Sequence, residues 1–138
     1  MSIAAAQPLN TAPAPNARPK ILVIDDEELM RELVTMHLRV AGYDVLVAQD
    51  AIAGGYLVLE ENPDVVILDV HMPFMNGYEL VSALKGDPTT RHIPIVFLTT
   101  DDDVEEHARK LGAEAYLKKP VTVTRLLETV GLLAPAQT

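Results

Sequence analysis

The sequence predicts an α/β domain: a doubly wound, five-stranded parallel sheet with five helices. Three observations carry that prediction. Short runs that are apolar on both faces, such as Val65-Val66-Ile67-Leu68, fit central strands buried on both sides. Runs of this kind alternate along the chain with segments of helical period. Several also end on polar groups: Ile21 to Ile24 runs into Asp25 and Asp26, Val65 to Leu68 into Asp69, and Ile95 to Leu98 into Thr99. In an open parallel sheet those groups emerge along one edge, where such sheets place their sites.

Taken in order, residues 1–19 hold Pro8, Pro13, Pro15 and Pro19, many alanines, a single charge at Arg18 and no apolar period. That composition reads as a flexible tail. The first strand, Ile21 to Ile24, precedes a helix whose apolar stripe is Leu29, Leu33, Met36 and Val40, closed by Gly42. Weak alternation makes Tyr43 to Ala48 a second strand, and Asp50 is the candidate N-cap of a helix over Ala51 to Glu61. Gly54 and Gly55 inside that helix each cost about 1 kcal/mol, and Asn62-Pro63 stops it.

Val65 to Asp69 forms the third strand, followed by the loop Val70 to Asn76 and a short helix from Gly77 with Leu80, Val81 and Leu84 inward. Gly86-Asp87-Pro88 breaks that helix, and Ile95 to Thr99 forms the fourth strand. Asp101-Asp102-Asp103 reads as the cap and solvated start of a helix with Val104, Ala108 and Leu111 inward, closed by Gly112. Ala115 to Lys118 is the fifth strand, Lys119-Pro120 turns the chain, and Thr122 to Leu133 makes the last helix, with Leu126, Leu127, Val130 and Leu133 inward. The organisation is thus a tail over 1–19, one domain over 20–134 and a short C-terminal tail over 135–138. The strand and helix alternation implies right-handed crossovers and helices on both faces.

Composition narrows the function. The length of 138 residues, with 49% hydrophobic and 22% charged, suits one domain with a real core. A net charge of -9 argues against direct binding of nucleic acid or of an anionic membrane surface. The absence of cysteine removes disulfides, thiolate catalysis and Cys-based zinc sites. No apolar run approaches the roughly 18 residues of a membrane span, and Met1 to Asn10 lacks the basic start of a signal peptide. A cytoplasmic location is expected.

The polar strand ends also have ordinary readings. Asp25 and Asp26 stand where an N-cap and a first-turn acid would, and Asp69 where an acid would open a turn with Met72-Pro73 and Asn76-Gly77. Thr99 is a β-branched residue in a strand, and Lys119 belongs to a Lys-Lys pair. Together they are more specific. Three carboxylates at one sheet edge repel one another and need a cation or protons. Oxygen ligands without cysteine suit a hard ion, with magnesium the natural candidate.

The series Asp25-Asp26, Asp69-Val-His-Met-Pro-Phe-Met-Asn-Gly77, Leu98-Thr99 and Tyr116-Leu-Lys-Lys119-Pro120 resembles the receiver domain of bacterial response regulators over about residues 20 to 134. The resemblance implies a flavodoxin-like fold with strand order 2-1-3-4-5 and a cis peptide bond before Pro120. It implies Asp69 as phosphoacceptor, with Lys119 and Thr99 on the phosphoryl oxygens and Thr99 with Tyr116 as the switch pair. Mg2+ would be held by Asp26 and Asp69 directly, by Asp25 directly or through water, and by the backbone carbonyl of His71. The expected protein is a single-domain response regulator in two-component phosphorelay signalling. Its phosphodonor is a sensor histidine kinase or histidine phosphotransfer protein. Its output is a protein contact on the fourth helix, fifth strand and fifth helix.

It would catalyse its own phosphorylation and dephosphorylation without being an enzyme in the ordinary sense. Three other readings compete: a receiver excised from a longer hybrid kinase or regulator, a receiver-like module that signals without phosphorylation, and a phosphatase with an aspartyl nucleophile. Such phosphatases commonly have a second acid two residues past the nucleophile, where this chain has His71. Thr100 replaces the small residue usual in the family, and Phe74 stands where glycine is common. His71 and Asp101 border the same pocket.

Overall fold

The computed structural model describes residues 17–136. Most of the expected N-terminal tail, residues 1–16, and the last two residues of the C-terminal one lie outside them. Five strands and five helices alternate: β1 (Lys20–Ile24), α1 (Glu28–Val40), β2 (Asp44–Ala48), α2 (Ala51–Glu61), β3 (Val65–Leu68), α3 (Gly77–Gly86), β4 (Ile95–Thr99), α4 (Val104–Leu111), β5 (Ala115–Lys118) and α5 (Val123–Leu133). The strands form one sheet in the order β2-β1-β3-β4-β5. All four pairings are parallel, so every strand delivers its C-terminus to the same edge.

The core divides into two layers because successive strand residues face opposite sides of the sheet. Leu22, Ile24, Val66, Leu68, Ile95 and Phe97 pack with Val58, Leu80, Val81 and Val104 from α2, α3 and α4. Ile21, Val23, Val65, Ile67, Val96 and Leu98 pack with Val34 and Leu38 of α1 and Leu126 and Val130 of α5. β3 and β4 are buried along their whole length, as the doubly apolar runs require.

One helix face departs from the simplest reading of the sequence. The stripe Leu29, Leu33, Met36 and Val40 does not line the core; it points outward, with Leu29 78% and Val40 84% exposed. The buried residues of α1 are Val34, Thr35 and Leu38, which include a threonine and therefore make the weaker hydrophobic pattern. Periodicity gives the apolar face of a helix but not what covers it.

Local chemistry fixes the ends. Asp50 Oδ1 accepts from Ala53 N at 2.8 Å and caps α2 as expected, and Thr122 Oγ1 accepts from Arg125 N to cap α5. Asn76 and Glu79 form a reciprocal capping box on α3. Asp103 makes no side-chain cap on α4; its carbonyl instead accepts from His107 N at 3.2 Å. The helix α2 tolerates Gly54 because a Cβ there would stand 2.3 Å from Ile24 Cδ1, so the helix closes on the buried end of β1. Gly77 brings α3 still closer to the sheet edge, since a Cβ on it would lie 2.2 Å from the Asp69 carbonyl oxygen.

That last contact is with backbone, which has nowhere to retreat. Gly77→Ala is expected to destabilise the protein by about 2 kcal/mol or more through overpacking, measured by urea unfolding. Gly86→Ala, where nothing lies within 4 Å, serves as the control and should be neutral or stabilising by about 0.5–1 kcal/mol.

Candidate functional site

The register places the functional groups. Asp69 N donates to Ile24 O at 3.0 Å, Asp25 N to Ala48 O at 3.1 Å and Lys119 N to Thr99 O at 2.9 Å. Residues immediately after β1, β3 and β5 are thereby pinned to neighbouring strand ends. Arg31 Nη1 reaches back from α1 to donate to Asp25 O at 2.8 Å, holding the exit of β1. The bond between Lys119 and Pro120 is cis.

The side chains converge around one ammonium group. Lys119 Nζ donates to Asp69 Oδ2 at 2.8 Å, Asp25 Oδ2 at 2.9 Å and Glu27 Oε1 at 3.2 Å. Asp69 is 6% exposed and Asp25 2%. The second oxygen of Asp69 is fixed from the other side: Oδ1 accepts from Val70 N at 2.6 Å and His71 N at 3.4 Å. Asp25 Oδ1 accepts from Glu27 N at 2.9 Å. Thr99 is fully buried at the end of β4, and its Oγ1 accepts from Asp101 N at 3.2 Å.

These neighbours set the two buried carboxyls apart. Burial pushes both upward. At Asp69 the Lys119 ammonium, the Thr99 hydroxyl and the Val70 amide outweigh burial and hold it below the usual carboxylate range. At Asp25 burial wins over the Glu27 amide and Lys119, with the Asp69 charge adding to it, so its carboxyl lies above that range. Burial works against the Lys119 charge, but the two aspartates more than compensate and the ammonium is held well above its ordinary range. Of the two, Asp69 is the carboxyl whose ionised form its surroundings favour.

Sequence reading and geometry differ over the acids. Among the described residues, the potential ligand atoms that lie within 4.8 Å of one another belong to Asp25, Glu27 and Asp69. Asp26 is exposed at the exit of β1 and stands outside this group. Glu27 was not singled out, because an acid at the start of a helix is commonplace; its signal was only its position directly after the acid pair. The convergent donors are all carboxylate oxygens, the set a hard divalent ion requires.

The remaining candidates lie around this centre. Tyr116 on β5 is half-buried beside Phe97 in register. Lys118 faces the opposite way from the site: its Nζ donates to Thr100 O at 3.2 Å, Asp101 O at 2.9 Å and Asp102 Oδ1 at 2.9 Å, clamping the β4–α4 loop. Thr100 is exposed, so it does not fill the buried part of the site. His71 is exposed, with Nε2 at 3.6 Å from Asp101 Oδ1. Phe74 is 88% exposed and holds a positive φ of 72°, a conformation uncommon for a bulky residue.

Comparison with known proteins places this arrangement. The family model described as response regulator receiver domain matches residues 21–131. The chain is 36% identical over 117 residues to the DNA-binding dual master transcriptional regulator RpaA of Synechocystis sp., which covers 83% of this chain and 48% of that protein. Relative to RpaA, then, the chain spans about half the length. It is 31% identical over 112 residues to the polar-differentiation response regulator DivK of Brucella ovis, covering 80% of this chain and 91% of DivK. Among solved structures, the chemotaxis response regulator CheY4 of Vibrio cholerae is similar with a TM-score of 0.79 and 33% identity, covering 85% of this chain and 99% of that one. A response regulator structure from Chloroflexus aurantiacus gives 0.81 and 29%, covering 85% and 98%.

The opposed shifts of the two carboxyls give a pH signature. Asp25 has a folded-state pKa above its unfolded one, so the native state loses stability as pH rises from the unfolded value near 4 through the folded value. Asp25→Asn should therefore raise stability at pH 7, by about 1 kcal/mol or less, with the gain vanishing below about pH 4. Asp69→Asn should do the reverse: its native carboxyl is depressed, so wild type holds an advantage at pH 7 that fades as pH falls below about 4. Urea midpoints from pH 3 to pH 8 would check both signs.

Proposed function

Because the chain belongs to the response regulator receiver domain family, a module of two-component signalling, we propose that Asp69 is its phosphoacceptor and that phosphorylation switches a protein-binding surface. The observation that carries this is the clamp on Asp69: Lys119 on Oδ2 at 2.8 Å and the Val70 amide on Oδ1 at 2.6 Å. The donor is a phosphohistidine, on a sensor histidine kinase or a histidine phosphotransfer protein. An O–P bond forms at Asp69 as the P–N bond to the donor imidazole breaks, and the imidazole recovers its proton from solvent. Lys119, the Thr99 hydroxyl and the Val70 and His71 amides are the groups in reach of the new phosphoryl oxygens. Hydrolysis of the acyl phosphate returns the carboxylate.

A bound Mg2+ would supply neutralisation of phosphoryl charge that three nearby carboxylates would otherwise repel. The residues present fit it: Asp25, Asp69 and Glu27 converge and would hold it, with Asp26 next to Asp25 in sequence and the His71 carbonyl two residues past Asp69. Lys119, which answers the carboxylates without a metal, would then be released toward the phosphoryl group.

Two surfaces support the partner reading. The outward stripe of α1, Leu29, Leu33, Met36 and Val40, presents apolar residues at the spacing by which helices pack and begins at the edge that holds Asp69, so a helical phosphodonor fits there. On the other side, α4, β5 and α5 form the output face. A hollow beside Tyr116 is lined by Lys118, Arg125, Leu132 and Leu133, and Thr99 with Tyr116 would couple it to Asp69.

Incubation with Mg2+ and acetyl phosphate should add one phosphoryl group by intact mass, and Asp69→Asn should add none while keeping its fold. Full labelling of that variant would sink the assignment. Removing Mg2+ with a chelator should slow labelling by about tenfold or more, the scale of one lost charge interaction of 1.4 kcal/mol.

A further inference from the structure

A second polar chain leaves this site toward α3 and α4. It starts at Thr99, whose Oγ1 accepts from the Asp101 amide at 3.2 Å. The Asp101 carboxylate, in turn, accepts a hydrogen bond from the Tyr78 hydroxyl. Tyr78 lies in the first turn of α3, so this bond ties α3 to the β4–α4 loop. Its ring is fixed on two sides. It stacks on His107 of α4, with centroids 4.1 Å apart and planes 10° apart, and meets Phe97 of β4 edge-on at 5.3 Å and 71°. A tyrosine hydroxyl lies in the plane of its ring, so fixing the ring fixes where the hydroxyl sits.

The direction of the protons along this chain is defined. Burial pushes the Tyr78 phenol up, and the charges of Asp101, Asp103 and Asp69 push it further; the hydroxyl remains a donor. Thr99 has one hydroxyl proton and two acceptor positions. Accepting from the Asp101 amide occupies an acceptor position and leaves the hydroxyl proton free to donate. Lys118 holds the Asp101 carbonyl and, through the Thr100 carbonyl, the peptide unit that carries the Asp101 amide; Tyr78 adds the hold on the Asp101 carboxylate.

We propose that Tyr78 is a positioning residue for the phosphoacceptor site: by holding Asp101, it keeps the Asp101 amide on Thr99 Oγ1 and so aims the Thr99 hydroxyl at Asp69 and the phosphoryl oxygens. The proposal rests on the phosphoacceptor reading above but goes beyond it. It assigns a role to a helix residue that touches no reacting atom, and it joins α4 to the site through His107. Tyr78→Phe is the discriminating change because it keeps the ring and both aromatic contacts and removes only the hydroxyl.

The test uses the full chain and two measurements. In hydrogen exchange without any ligand, Tyr78→Phe should speed exchange of the Asp101 amide by about fivefold, the effect of one ordinary hydrogen bond, with the fold kept. In binding of beryllium trifluoride with Mg2+, a mimic of the phosphoryl group, affinity should fall by about three- to tenfold, the same scale. Asp101→Asn retains an acceptor for Tyr78 and should stay near wild type. Asp101→Ala should match Tyr78→Phe, and the double variant should be no worse than Asp101→Ala.

Unchanged exchange at Asp101 in Tyr78→Phe overturns the proposal, as does faster exchange with unchanged affinity, which would make the bond merely structural. Equal additional losses in the double variant overturn it too. If wild type itself does not bind beryllium trifluoride, the phosphoacceptor reading fails, and with it the role assigned to Tyr78; the exchange result then still reports whether Tyr78 holds the loop.

Discussion

The interaction on which the site depends is the contact of one ammonium group with three carboxylates. Lys119 Nζ directs its three N–H donors to Asp69, Asp25 and Glu27, and two of those acids are buried. Without it, buried like charges would sit within a few ångströms of one another, and losing the cation they share costs about 3–5 kcal/mol. The lysine comes from the end of β5 and its acids from the ends of β1 and β3, so the electrostatic centre also closes the sheet edge. On the proposed function, a cation at these acids would compete with the lysine, and a phosphoryl group at Asp69 would compete with the acids for it. The contact is thus a stabilising element that such a function would have to exchange.

Rigid surroundings make that exchange specific. Asp69 follows a strand buried along its length, between β1 and β4, and its Oδ1 is held by backbone amides that cannot rotate away. The groups around it lie on loops: Asp101 and its neighbours, and the segment from Val70 to Asn76. A carboxylate fixed by the core and bordered by loops suits the proposed switch, in which an added charge would act on the neighbours.

Much of this was legible in the sequence, for identifiable reasons. Val65 to Leu68 and Ile95 to Leu98 can only be central strands, and the polar residues that end them had to share an edge once the sheet was parallel. Asp50, Asn62 and Gly112 marked helix ends by their local preferences, and Gly112 does hold a positive φ. The outward face of α1 was not legible, since Leu29, Leu33, Met36 and Val40 form a better apolar stripe than Val34, Thr35 and Leu38, which actually meet the sheet. Glu27 was hidden among acids that read as helix starters. Tyr78 was hidden for another reason: its hydroxyl finds Asp101 across 23 positions of chain, and no local pattern carries such a pairing.

Gly77 has a consequence for how such a chain can change over generations. Its Cα approaches the carbonyl of Asp69 so closely that no side chain fits, and Gly77 N closes the intervening loop on Val70 O at 2.8 Å. The loop is therefore closed between Val70, which follows Asp69, and the start of α3. Within the loop, substitution is most constrained at Gly77, which meets backbone, and at Val70, which is buried, and least at His71, whose side chain faces water.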